Sequence, residues 1–131
     1  MTADDPAVIR SLAVSAEDVV DAFVYGQENP GSAVLRVTPP FHGRMRARIH
    51  VFYTDDADAT GAIHLSPTTL LADDARAAYP SLEEFADEPA PGDRHADAVE
   101  RWRERATDAI LERTVLETEN GPHEVAVKRL G

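Results

Sequence analysis

From His42 to Phe52 the chain alternates without a break. Gly43, Met45, Ala47, Ile49 and Val51 face one way, and His42, Arg44, Arg46, Arg48 and His50 face the other. A period of two belongs to a strand, because successive side chains point to opposite faces of a sheet. Residues 43–53 are therefore expected to form one strand. "SAVLRVT" before it reads as another, with Ala33, Leu35 and Val37 inward and Arg36 outward, broken by Pro39 and Pro40. "AIHL" makes a short third strand, with Ile63 and Leu65 inward and His64 outward. "HEVAVKRL" makes a last one, setting Val125 and Val127 against Glu124, Ala126 and Lys128.

Helical spacing fills most of the remainder. In "SAEDVVDAFVYGQENPG", Ser15 is placed to cap, and Glu17 and Asp18 sit where the helix dipole favours acids. Val19, Val20, Phe23 and Val24 form the apolar stripe, and Asn29, Pro30 and Gly31 end the helix. Ser66 and Pro67 suit the cap and first position of a helix through "TTLLADDARAA", which stops before Tyr79-Pro80. Ser81 and Glu84 have the spacing of a capping box. Asp93 is expected to cap a long helix to about residue 115, seamed by Val99, Trp102, Ala106, Ala109 and Ile110, with Asp97 pairing to Arg101.

Residues 1–6 read as a frayed N-terminus and residues 86–93, "ADEPAPGD", as a flexible linker within a single domain of residues 1–131. The expected fold class is α+β. A mainly antiparallel sheet of about four strands has one helix before it and two or more after it. Its core is Leu35, Val37, Met45, Ala47, Ile49, Val51, Ile63 and Leu65.

Charge changes this picture more than length does. Asp and Glu total 24 against 13 Lys and Arg, a formal net charge of -11, and Lys128 is the only lysine. Acidic excess keeps a protein soluble and disfavours nonspecific binding to nucleic acid or anionic membranes. With Arg almost replacing Lys, the composition is similar to that of proteins from salt-loving archaea; an ordinary acidic protein of a GC-rich genome is the alternative. No cysteine is present, which excludes thiolate catalysis, thiolate metal sites and disulfides. "MTADDPAVIR" has no basic segment before an apolar run, and no apolar run approaches the ~20 residues of a membrane span, so a cytoplasmic protein is expected.

Candidate chemistry is sparse. "DADATGAI" places Asp56, Asp58, Gly61 and Ile63 like the start of a calcium loop, but Pro67 stands where the bidentate Glu is needed. A solvated turn is the expectation. The histidines lack metal-site spacing: His42 and His50 lie about 27 Å apart along a strand, and His95 and His123 stand alone. Only His64 is placed to approach one of the others across a strand pair. No nucleophile elbow, P-loop or dinucleotide turn occurs, so no catalytic residue, metal ligand or cofactor is assigned. Trp102 belongs to a helical seam and reads as core, with a stacking platform as the sharper alternative.

The basic face is what remains. Arg36, His42, Arg44, Arg46, Arg48, His50 and His64 collect on the outward side of the expected sheet. One reading spends them on internal ion pairs beneath an acidic helix or loop. The other docks an anion, and arginine forks favour geometrically matched contacts that survive salt. "LRVTPPFHGRMRARIHV", together with the acidic helix before it and "AIHLSPTTLLADD" after it, resembles an uncharacterised small-domain family of haloarchaea. That resemblance implies a halophilic domain and no site residues. The functional expectation is a noncatalytic interaction module contacting nucleic acid or an acidic protein. The alternative is a small enzyme or sensor holding a phosphorylated or carboxylate metabolite with the same arginines.

Overall fold

A computed structural model describes residues 5–29, 32–52, 61–118 and 121–130, with the backbone alone at Ser32 and Phe52. The chain is α+β, and its described strands form two open sheets in place of the single one expected. A strand that hydropathy alone did not reveal comes first. This is β1 (Ser11–Ser15), with Leu12 and Val14 fully buried between the small residues Ser11, Ala13 and Ser15.

It runs directly into α1 (Ala16–Glu28), where the Ser15 hydroxyl accepts from the Asp18 N–H at 3.3 Å and Glu17 and Asp18 occupy the first turn. Val19, Val20, Phe23 and Val24 are buried as their spacing predicts. Each such side chain contributes about 1.5–3 kcal/mol when fully removed from water. The helix ends at Asn29, whose backbone N–H and side-chain amide both donate to the Tyr25 carbonyl. Pro30 and Gly31 lie outside the described residues.

The strands that follow are β2 (Ser32–Val37), β3 (Arg44–Arg46), β4 (Arg48–Phe52) and β5 (Ile63–Leu65). The alternating stretch is thus two strands, broken at Ala47. β4-β2-β5 is an antiparallel sheet whose Ala33, Leu35, Val37 and Leu65 side chains are buried on the side that meets α1. Met45, Ile49 and Ile63 are half-buried against the core, whereas Val51 is 42% exposed and does not join it.

The helical expectations beyond residue 66 need more correction. Ser66 caps only a 3-10 turn, Pro67–Thr69. Leu70 and Leu71 are then fully buried, and α2 (Asp73–Ala77) is a separate short helix. Backbone bonds explain the break, because the Leu111 N–H donates to Leu70 at 2.9 Å and the Ala72 N–H donates to Ala109 at 3.0 Å. The capping box at Ser81 and Glu84 forms, closing another 3-10 turn, Leu82–Phe85.

The last helix, α3 (Pro91–Ala106), begins at Pro91 and not after Asp93, and it ends nine residues short of 115. Ala109 and Ile110 leave its seam to pair with the segment around Leu71. The expected Asp97–Arg101 pair does not form; Arg103 instead reaches Asp21 of α1 at 2.6 Å. Residues assigned to the end of that helix are β6 (Arg113–Thr118). Thr114 and Leu116 are buried there while Arg113, Val115 and Glu117 are exposed, a strand period carried by the β-branched Thr114, Val115 and Thr118. β6 hairpins onto β7 (Gly121–Leu130), and the mixed sheet runs β3-β1-β7-β6 with β1 parallel to both of its neighbours.

Candidate interface on the mixed sheet

The mixed sheet has one dry face and one wet face. Leu12, Val14, Leu116 and Val125 point into the core. On the opposite face the registers align two rows of side chains: Arg46–Ala13–Lys128, and Arg44–Ser11–Ala126–Arg113. Arg44, Arg46, Lys128 and Arg113 are exposed, and Ser11, Ala13 and Ala126 make a low floor between them. Two inter-strand spacings of ~4.8 Å set the Arg46 and Lys128 backbones about 10 Å apart. Among the described residues only Arg113 is neutralised here, by Glu124 at 2.7 Å. Beside this face a groove of about 720 Å³ continues past Lys128 and Arg113 to Arg129, Asp108 and Glu112.

Ala47 positions the arginines. Its N–H donates to the Ala13 carbonyl at 3.0 Å and its side chain is fully buried. The chain therefore leaves β1 at this point and turns to pair with β2. Arg44 and Arg46 stay on the edge of the mixed sheet, while Arg48 and His50 pass to the antiparallel one. There Arg36 stands opposite Arg48 on one side and His64 on the other, and His50 stacks on His64 with ring centroids 5.9 Å apart. Arg48 is exposed, whereas Arg36, His50 and His64 are half-buried. His42 is exposed ahead of β3, its backbone N–H donating to the Met45 sulfur at 3.3 Å. The seven residues expected on one face are thus divided between two sheets and a turn.

Internal pairing does not consume the edge. Among the described residues Arg44, Arg46 and Arg48 make no salt bridge, while Arg76, Arg113 and Arg129 each make one and Arg103 makes two. Sequence reasoning placed Lys128 on a strand but missed its neighbours. Its signal was there in the alternation of "HEVAVKRL"; what the sequence lacks is which strand lies beside it.

A second polar cluster was not legible at all. Trp102 is core as expected, donating from its indole N–H to the Ala75 carbonyl at 2.8 Å and stacking on Phe23 at 5.3 Å. Tyr79 packs edge-on against both rings, at 5.6 Å from Phe23 and 5.0 Å from Trp102. Burial, and then the Glu28 carboxylate, push the Tyr79 phenol above its ordinary range.

Among the described residues no group of three or more His, Asp or Glu side chains is placed to hold a metal ion. Asp56 and Asp58 of the calcium-like turn lie outside the described residues; Pro67, at its twelfth position, is buried at the start of a 3-10 turn. No helix is long and apolar enough, among the described residues, to cross a membrane.

These features define a small α+β domain with two open sheets, one of which presents a cation-edged face to solvent. The chain belongs to a family of domains of unknown function, DUF8009, whose model matches residues 1–131. No curated relative and no solved structure matches it.

Proposed function

We propose that this domain is a noncatalytic interaction module that contacts an anionic partner, nucleic acid or an acidic protein, through the wet face of its mixed sheet. Arg44 and Arg46 carry the contact, Lys128 supports it from the middle of the sheet, and Arg48 and His42 extend the edge. The supporting observation is that Arg44, Arg46 and Arg48 are exposed and make no salt bridge among the described residues, in a chain of net charge -11 where carboxylates to pair with are abundant. Arg36, His50 and His64 are half-buried in the other sheet and serve its packing in this reading. An open sheet face favours a macromolecule over a metabolite, because small ligands need concave sites. The acidic, lysine-poor composition supports a cytoplasmic protein working at high salt, where matched arginine contacts outlast long-range steering.

The test compares wild type with an Arg44→Glu/Arg46→Glu double variant. Fluorescence anisotropy would follow labelled single- and double-stranded oligonucleotides and a polyglutamate peptide at low and molar KCl. Saturable binding to one class is expected, weakened at least about tenfold in the double variant. Equal binding by the two proteins, or no binding by wild type even at low salt, would refute the proposal.

A further inference from the structure

A pocket of about 600 Å³ opens between the end of α1, the Tyr79–Leu82 segment and α3, far from the arginine edge in sequence. Its walls are preorganised. Tyr79 is held by Phe23 and Trp102, and His95 is tied through Nε2 to the Pro80 carbonyl at 3.1 Å. A volume of this size suits a small organic molecule, since such sites run from ~300 to ~1,000 Å³.

Two buried donors here lack an acceptor of ordinary geometry, and one exposed carboxylate stands beside them. Arg76 pairs with Asp73 through Nη2, but its Nε–H is buried with no acceptor. The Tyr79 hydroxyl is also buried; it faces the Glu28 carboxylate yet closes no hydrogen bond of ordinary geometry. Burial and Glu28 hold that phenol protonated, so it is a donor. Glu28 itself is exposed and makes no salt bridge among the described residues. Buried donors without acceptors are rare in folded proteins because each forfeits its hydration, and a bound ligand is one way to restore the bond.

We infer that this pocket binds a small zwitterion of the α-amino-acid type with an apolar side chain. Its carboxylate satisfies Arg76 and Tyr79, its ammonium faces Glu28, and its side chain lies against Phe23 and Leu82. A simple anion would meet the Glu28 charge, and a simple cation would leave both donors unmatched. Glu28 and Leu82 at the rim are exposed, Leu82 by 54%, so their side chains can turn aside to admit the ligand.

Titration of the full chain with L-leucine and L-phenylalanine, followed by amide chemical shifts, tests the inference. Phenethylamine, which lacks the carboxylate, and 3-phenylpropionate, which lacks the ammonium, are the controls. The expected result is saturable shifts around Phe23, Tyr79 and His95, with each control binding at least about tenfold more weakly than L-phenylalanine. Glu28→Gln, an exposed change that spares the fold, should remove the discrimination against 3-phenylpropionate. Tyr79→Phe should weaken the amino acid about tenfold. Absence of saturable shifts throughout the millimolar range, or controls that bind as tightly as the amino acids, would overturn it.

Discussion

At Arg46 the two fates open to a charged strand residue separate cleanly. An arginine spent on an internal pair leaves a stranded carboxylate when it is removed, at a cost of roughly 3 kcal/mol or more if that partner is buried. Arg46 is exposed and makes no salt bridge among the described residues, and its neighbour in the row, Ala13, offers no charge. Arg46→Ser is therefore expected to change stability by no more than about 0.5 kcal/mol. Urea unfolding of the variant and wild type at matched high salt measures this. A large loss would show that the side chain is structural and would remove the basis for an interface. Arg103 is the counter-example in the same chain: 30% exposed and 2.6 Å from Asp21, it pins α3 to α1.

Among the elements, the decisive feature is the bend between β3 and β4. One continuous run of alternation serves two sheets because Ala47 is small enough to be fully buried where they diverge. Its N–H still completes the parallel ladder to Ala13, so the register of Arg44 and Arg46 on β1 depends on it. Ala47→Leu would force three extra heavy atoms into this junction, and overpacking of a closed core costs about 1–3 kcal/mol. Denaturant unfolding should register that loss, and a change within error would mean the junction has room that its burial denies. α1 contributes from the other side, where an Asp18 carboxylate oxygen accepts from the Ile49 N–H at 3.4 Å at the start of β4.

For the whole molecule, net charge is the dominant long-range term. With 24 acids against 13 bases, most of the surface repels itself at low ionic strength. Salt shortens the Debye length from ~10 Å at 0.1 M to ~3 Å at 1 M, so this repulsion is screened as salt is added. The thermal midpoint should rise from dilute buffer into molar KCl. Differential scanning calorimetry across that range would detect it, and a flat or falling midpoint would show that self-repulsion does not limit stability.

Local physics made several elements legible. α1 announced its cap at Ser15, its first-turn acids and its apolar stripe within one short window, and the Ser81–Glu84 box likewise needed only its own residues. The alternation of 42–52 gave strand conformation at 44–46 and 48–52 but not the break between them, and that of 123–130 gave β7. Partner choice was the part that no window contained. β1 looked like a preface to a helix because a five-residue strand is defined by the neighbours it pairs with, β3 and β7, which lie some 30 and 110 residues away along the chain. The break at Ala47, the handover of α3 to β6 and the assembly of Glu28, Arg76, Tyr79 and His95 around one pocket have the same origin. Sequence determined which segments are extended or helical wherever period and caps agree. Only the tertiary structure decided which faces are covered, because burial depends on contacts between segments that local propensity does not encode.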